Sequence, residues 1–107
     1  MAEEMIVVLC SLPGDAAAEQ LAGILVEEKL AACVQVLPAM QSVFFWEGQV
    51  RVAAEKLLLC KTFASRYSAL EQRLTALHPY DVPEILALPV TAALTSYRGW
   101  MGDVLRG

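Results

Sequence analysis

The first part of the chain alternates between an apolar run and an amphipathic stretch. Residues 5–12 are apolar and rich in β-branched side chains without polar alternation, which is typical of a strand covered on both faces. Pro13, Gly14 and Asp15 then predict a turn, in which Asp15 caps a following helix. Apolar positions spaced by three and four predict that helix over residues 16–29.

Two extended segments follow, and their lengths predict a long hairpin. Residues 31–46 form the first, with Pro38 in its middle, where a proline that cannot donate to the ladder predicts a bulge or bend. Residues 47–49 read as the hairpin turn, and residues 50–63 form the second strand. Both segments exceed the usual strand length of about five to six residues, so we expect the hairpin to protrude.

The remaining pattern predicts one more helix, one more strand and a short final helix. Ser65 is expected to cap a helix over residues 65–77, whose apolar stripe has spacings of three and four. Two prolines within residues 78–84 end this helix. Residues 85–90 form the last strand, and Thr95 is expected to cap a terminal helix with an apolar face.

The predicted order is βαββαβ, which is the ferredoxin-like arrangement of an α/β (α+β) protein. The 107 residues match the size of one domain, so residues 1–107 are interpreted as a single domain. We expect both main helices to cover one face of the sheet. The other face is then left for another subunit to cover.

Composition supports association between subunits. The apolar fraction is 57 % and the mean hydropathy is +0.50, both high for a soluble monomer. No window reaches the roughly 18 uncharged apolar residues that a membrane helix needs, so burial against other copies is the better interpretation. The net charge of −4 and the lack of a basic patch argue against nucleic acid as a partner.

The cysteine count and the first residues bear on the compartment. The chain has three cysteines, Cys10, Cys33 and Cys60, an odd number without a CxxC pair. This pattern favours reduced thiols over a disulfide scaffold, and Cys33 and Cys60 are expected to be buried in strands. The opening residues carry two acids and no basic region, unlike a signal peptide. We therefore expect a cytoplasmic protein.

A set of short motifs runs through nearly the whole chain in a fixed order. They are Val8-Leu9-Cys10-Ser11-Leu12-Pro13, Leu30-Ala31-Ala32-Cys33-Val34, Phe45-Trp46-Glu47-Gly48, Glu55, Lys61-Thr62, His78-Pro79-Tyr80-Asp81-Val82-Pro83-Glu84-Ile85, and Tyr97 followed by Trp100. In these motifs the chain resembles the CutA divalent-cation-tolerance proteins. The stretch that begins at His78 is the most specific of them.

The resemblance implies a ferredoxin-like fold assembled as a homotrimer, in which the long hairpin of one subunit extends a neighbour's sheet. It also implies copper(II) binding, with links to other divalent cations, in a bacterial cytoplasm. Family members with that metal role present a cysteine and a histidine at the positions of Cys10 and His78. Some have two adjacent histidines, and Leu77 stands here in place of the first.

The predicted metal ligands are therefore Cys10, His78 and Glu84, since thiolate and imidazole suit copper and a carboxylate can assist. Each has a structural alternative. A free cysteine such as Cys10 is often a small buried hydrophobe, and His78 can cap helix carbonyls. Glu84 can instead form an ion pair with Lys61 or Arg98.

Other polar and aromatic residues extend these hypotheses. Glu55 and Asp81 are further carboxylates that a subunit cleft could bring together with Glu84 as oxygen ligands. Lys61 could bind an anion, although a lysine after an apolar run more often extends its amine to solvent. Four amphipathic aromatics are predicted interface anchors, with a ligand pocket as the alternative: Trp46, Tyr80, Tyr97 and Trp100.

The sequence contains no known catalytic signature, such as a nucleophile elbow, P-loop or HExxH motif. We therefore expect a non-enzymatic protein that binds a divalent metal, copper first, and serves cation tolerance or homeostasis. Two alternatives remain open. One is a trimeric small-molecule signalling module similar to the PII proteins, and the other is a structural trimeric scaffold.

Overall fold

The computed structural model describes residues 3–106. Its elements in chain order are β1 (Met5–Pro13), α1 (Ala18–Glu27), β2 (Cys33–Trp46), β3 (Gln49–Phe63), α2 (Tyr67–Leu77), β4 (Ile85–Pro89) and α3 (Thr95–Arg106). A single 3₁₀ turn over Ala64–Arg66 joins β3 to α2. The predicted βαββαβ order and the terminal helix are confirmed.

The four strands form one antiparallel sheet in the order β2-β3-β1-β4. Strand β1 lies inside the sheet, so Cys10 is paired with Leu58 of β3 on one side and with Ile85 of β4 on the other. This order is that of the predicted ferredoxin-like fold.

The main core lies between the sheet and the helices α1 and α2. Side chains two apart along a strand point to the same face, and one such set faces the helices. The buried members of this core are Ile6, Val8, Cys10 and Leu12 from β1, Leu58 and Cys60 from β3, Ala18, Leu21 and Leu25 from α1, Ala31 before β2, and Leu70 and Leu74 from α2. The prediction that both main helices cover one sheet face is confirmed.

Helix α3 packs against the other face, at one end of the sheet. Its Met101 and Leu105 form a second buried cluster with Met5 and Phe63. Beyond α3 this face is only half covered, and on β4 Leu86 and Leu88 are exposed. The expectation that β1 is covered on both faces is therefore met on its helix-facing side. The other face of β1 is covered only in part. Within residues 3–106, no helix is both long and apolar enough to cross a membrane.

The hairpin of β2 and β3 has the predicted bulge and a two-residue turn. Pairing shifts register between Leu37 and Met40, next to Pro38, and Ala39 has a φ of 44°. Glu47 and Gly48 form the turn with φ values of 51° and 77°. Positive φ at both central positions matches the twist of a two-residue hairpin, which explains the glycine.

Two predicted helix caps are wrong. Helix α1 begins at Ala18 after Ala17, without a side-chain cap, because the backbone turn bonds Ala16 N–H to the Pro13 carbonyl and leaves Asp15 upstream. Ser65 lies within the 3₁₀ turn, so α2 begins two residues later than predicted. Local backbone hydrogen bonds outweigh the side-chain preference at both sites.

The guanidinium of Arg66 joins the ends of two helices. It donates to the carbonyl of Lys29, just after α1, at 2.9 Å and to the carbonyl of Leu105 in the last turn of α3. Carbonyls at helix ends lack intrahelical partners, so one side chain satisfies two such groups.

Replacing Arg66 should therefore destabilise the fold more than replacing an arginine in a surface ion pair. For Arg66→Gln we expect the free energy of unfolding to fall by about 1–3 kcal/mol, as for hydrogen bonds to a charged donor. Arg73→Gln is the control, since Arg73 pairs with Glu28 at the surface and should cost under about 1 kcal/mol. Urea unfolding at one protein concentration measures the free energy of unfolding of both variants. Equal losses would contradict the proposal that Arg66 stabilises the fold by joining two helix ends.

Candidate functional site

The imidazole of His78 fixes the segment that follows α2. Tyr80 N–H donates to Nδ1 of His78 at 3.1 Å, and Nε2 lies 2.6 Å from the carbonyl oxygen of Ser11. Because Nδ1 accepts, the proton of the neutral ring is on Nε2, which donates to Ser11. His78 thus has a structural role, as the alternative interpretation expected. Its ring, however, bonds to backbone groups of β1 and of the following loop, and not to carbonyls of α2.

This arrangement places Tyr80 over a buried carboxylate. The Tyr80 ring lies 4.9 Å from the His78 ring, and its hydroxyl donates to Oε2 of Glu55 at 2.9 Å. Burial, followed by the hydrogen bond and negative charge of Glu55 and the charge of Asp15, raises the pKa of the Tyr80 hydroxyl. The hydroxyl therefore remains a donor at neutral pH.

Between the hairpin and the loop after His78 lies a cleft of about 770 Å³. Its lining combines aromatic, acidic and small polar side chains. The lining residues are Ser11, Ser42, Val43, Phe44, Trp46, Arg51, Glu55, Pro79, Tyr80, Asp81, Val82 and Glu84. The volume lies within the usual range for small-molecule sites.

The charges lining the cleft are mainly negative. Glu55, Asp81 and Glu84 contribute three carboxylates, against the single guanidinium of Arg51. That guanidinium is held toward the hairpin turn, where it contacts Glu47 at 3.4 Å and donates to the Trp46 carbonyl at 3.3 Å. The cleft thus favours a positively charged ligand.

Cys10 lies on the helix side of β1, in the main core. Its side chain is fully buried, which matches its structural alternative as a small hydrophobe. Burial, with smaller effects from the charges of Glu84 and Glu55, raises the pKa of the Cys10 thiol to about 12. The thiol is therefore protonated at neutral pH, whereas a metal ligand is a thiolate.

The three predicted metal ligands are neighbours, but they do not form a ready metal centre. Glu84 is exposed at the cleft, Cys10 is in the core, and both ring nitrogens of His78 have backbone partners. Within residues 3–106, no three His, Cys, Asp or Glu side chains converge so that they could hold a metal ion. The donors as arranged here do not fit a bound copper ion.

The ion pairs considered for Glu84 are not formed. Across residues 3–106 neither Lys61 nor Arg98 forms a salt bridge with it, and Arg98 donates instead to the carbonyl of Glu3. Cys60 is fully buried as predicted, whereas Cys33 is only half-buried.

The four predicted interface aromatics separate into two pairs at opposite ends of the sheet. Trp46 and Tyr80 line the cleft near the tip of the hairpin. Tyr97 and Trp100 lie on α3 with their ring centroids 5.5 Å apart, beside the start of β1. Both tryptophans are more than two-fifths exposed.

The pairing of Tyr80 with Glu55 could not be found by reasoning on the sequence. The two residues are 25 positions apart, and neither spacing nor composition connects them. The only available signal was Glu55 itself, which is the single acidic residue of β3. Such an acid needs a partner when the strand is buried.

Fold and cleft together define a small ferredoxin-like α/β protein with an acidic, aromatic cleft. The family model described as "CutA1 divalent ion tolerance protein" matches residues 6–104. The chain therefore belongs to the CutA1 divalent ion tolerance family, and the resemblance noted in the sequence is confirmed.

Individual relatives agree with this membership. The chain is 42 % identical over 103 residues to the divalent-cation tolerance protein CutA of Pectobacterium atrosepticum, covering 96 % of this chain and 94 % of the relative. It is 44 % identical over 101 residues to the chloroplastic Protein CutA 1 of Oryza sativa subsp. japonica, covering 94 % of this chain but only 57 % of that longer relative. The crystal structure of CutA1 from Oryza sativa matches with a TM-score of 0.91 and 42 % identity, covering 95 % of this chain and 94 % of that one.

Removing the hydroxyl of Tyr80 should destabilise the protein, because Glu55 would lose its donor in a buried position. We expect Tyr80→Phe to lower the free energy of unfolding by about 1–3 kcal/mol. Tyr67→Phe removes a matched but exposed bond, from Tyr67 to Glu71 at 2.8 Å, and should cost under about 1 kcal/mol. Denaturant unfolding measures the free energy of unfolding of both variants. Equal losses would show that burial of Glu55 does not strengthen its hydrogen bond with Tyr80.

Proposed function

We propose that this protein serves divalent-cation tolerance as a homotrimer that binds copper(II), with other divalent cations as alternatives. We place it in the cytoplasm and assign it no catalytic activity. Family membership supports the tolerance role, since the relatives carry that name. The free thiols of Cys10, Cys33 and Cys60 fit a reducing compartment.

The observation that supports a copper site is that Cys10, His78 and Glu84 lie on neighbouring segments at one corner of the sheet. Cys10 pairs with Ile85, the residue directly after Glu84. His78 contacts the carbonyl of Ser11, the residue directly after Cys10. Glu84 is close enough for its charge to act on the Cys10 thiol. Thiolate, imidazole and carboxylate are all ligands that copper accepts.

Binding at this corner requires local rearrangement. His78 must release either Tyr80 N–H or the Ser11 carbonyl to free a ring nitrogen. Cys10 must lose its thiol proton, although burial raises the pKa of that thiol to about 12 in the metal-free fold. Metal binding that displaces a proton strengthens as pH rises. We therefore expect copper affinity to increase with pH across the neutral range.

Calorimetric titration of copper(II) into the reduced protein tests this proposal. We expect saturable binding in the parent and a loss of at least about tenfold in affinity for Cys10→Ser and for His78→Ala, as metal-site substitutions commonly give. Glu84→Gln should weaken binding by a smaller factor, because the ligand charge is lost while the shape is kept.

Cys33→Ser is the matched control, since it removes a thiol that lies on β2 and not at the corner. It should leave the affinity unchanged. Copper binding that is absent in the parent, or equally strong in the Cys10 and His78 variants, would reject this site.

The trimer proposal is supported by the exposed apolar surface. The hairpin carries exposed apolar side chains on both of its faces near the tip: Val43, Phe45, Val50 and Val52 on one face and Phe44 and Trp46 on the other. A second aromatic pair, Tyr97 and Trp100, lies at the opposite end of the sheet. Two different surfaces at opposite ends suit a head-to-tail contact, and such contacts close into a ring when the rotation between successive subunits closes. Patches of this kind on soluble proteins mark interaction sites.

Replacing Trp46 of the hairpin by alanine should weaken the proposed trimer. We expect Trp46→Ala to lower the stability of the trimer by about 2 kcal/mol or more, as for a central aromatic anchor. Val26→Ala, which shortens an exposed side chain on α1, should have little effect. Sedimentation across a dilution series measures both. A monomeric parent, or a Trp46→Ala trimer as stable as the parent, would contradict the proposed interface.

A further inference from the structure

One acidic side chain is buried without a basic partner in its own chain. Glu55 is only 5 % exposed, and its carboxylate accepts a hydrogen bond from the hydroxyl of Tyr80. Within residues 3–106 no basic side chain forms a salt bridge with Glu55. Acidic side chains are almost never fully buried unless they are paired, so Glu55 requires a cation from outside its own chain.

Most of the basic side chains already have oxygen partners. Of the eight basic residues, six donate to carbonyl or carboxylate oxygens of the same chain, namely Arg51, Lys56, Arg66, Arg73, Arg98 and Arg106. The two that have no such partner within residues 3–106 are Lys29 and Lys61. Lys29 lies just after α1, whereas Lys61 lies on β3. Lys61 is therefore the unpaired cation of the sheet.

Lys61 and Glu55 share one face of β3. Side chains alternate between the two faces of a strand, and Leu58 and Cys60 belong to the core beneath the helices. Glu55 and Lys61, six residues apart on the other alternation, therefore both face away from α1 and α2. Six residues of strand span about 20 Å, so the two charges cannot contact each other within one chain.

The surroundings of Lys61 contain no acid on the neighbouring strands. The half-buried Lys61 is opposite Cys33 of β2 and Val7 of β1. The next side chain on the same face, Phe63, packs with Met101 of α3. Lys61 therefore lies toward the end of the sheet that carries α3, whereas Glu55 lies in the cleft beside the hairpin.

We propose that, in the homotrimer, Lys61 of each subunit enters the cleft of the next subunit and forms an ion pair with the Glu55 there. The pair rests on the proposed trimer and names the side chains that meet across its interface. A head-to-tail contact joins two different surfaces, so the two unpaired charges of one chain are satisfied by its two neighbours in a ring. The same contact covers Trp46 at the mouth of the cleft.

Charge and exposure favour Glu55 as the acceptor within the cleft. Asp81 and Glu84 line the same space, but both are exposed. Their negative charge attracts a lysine toward the cleft, and water can solvate them in the absence of a partner. Glu55 is shielded from water, and one of its oxygens already accepts from Tyr80. A carboxylate accepts up to about four hydrogen bonds, so Glu55 retains capacity for an ammonium group.

A double-mutant cycle on subunit exchange tests the pair. Trimers of ¹⁵N-labelled and unlabelled protein are mixed at a fixed urea concentration with a metal chelator, and native mass spectrometry follows the appearance of mixed trimers. We expect Glu55→Gln and Lys61→Met each to accelerate exchange at least about tenfold, because truncating one partner leaves the other charge buried and unpaired. The double variant should exchange much more slowly than the product of the two effects predicts.

This coupling distinguishes a contact between subunits from two independent effects. Substitutions more than about 10 Å apart in one chain act additively on the free energy, and Glu55 and Lys61 exceed that separation. Lys61→Arg keeps the charge and should exchange far more slowly than Lys61→Met. Lys29→Met is the matched control, because it removes the other unpaired lysine, and it should leave the exchange rate unchanged.

The monomer provides a readout that a general folding defect would move in the opposite direction. Glu55→Gln can still accept from Tyr80, and a neutral side chain is buried at a lower cost than an unpaired charge. The dissociated Glu55→Gln monomer should therefore resist urea at least as well as the parent monomer. A less stable monomer would assign the faster exchange to misfolding and overturn the ion pair.

The outcomes separate the ion pair from the trimer. A trimeric parent with multiplicative effects of the two substitutions, or with equal exchange in Lys61→Met and Lys61→Arg, would overturn the pair and leave the trimer in place. Equal acceleration by Lys29→Met and Lys61→Met would also reject Lys61 as the partner. A parent without a trimer mass would overturn the trimer and the pair together.

Discussion

The imidazole of His78 is the contact on which the cleft depends. One ring nitrogen holds the carbonyl of Ser11 on β1, and the other accepts the backbone N–H of Tyr80. Prolines on both sides of Tyr80 restrict the loop further, so few conformations compete with this one. The hydroxyl of Tyr80 then reaches Glu55 on β3. A single neutral side chain thereby ties the loop to the sheet and sets one wall of the site.

The sheet provides the opposite wall of the cleft, and its two faces are covered to different extents. Its helix-facing side is a complete core, whereas its other side is covered by α3 at one end only. The hairpin extends the molecule to 46 Å in length, against 26 and 23 Å in the other directions. Apolar side chains on this projection are exposed, among them Val43, Phe45 and Trp46.

The sequence predicted the elements well wherever one physical signal dominates. Apolar β-branched runs marked the strands, and Pro38 marked the bulge because a missing N–H interrupts any ladder. The caps at Asp15 and Ser65 were wrong because a side-chain cap typically contributes only about 1 kcal/mol, and local backbone turns prevailed at both sites. The bond between Tyr80 and Glu55 was missed because only the fold brings such distant residues together.

The alternation of side chains along β1 separates the buried thiol of Cys10 from the cleft. Cys10 points toward the helices, where burial keeps its thiol protonated, while Ser11 lines the cleft on the other side. A soft metal bound by the thiol must therefore reach the core and displace a proton. His78 bonds to the backbone carbonyl of Ser11, the residue of β1 that lies between the core side and the cleft. Recruiting His78 to a metal would consequently loosen Tyr80 and alter the cleft.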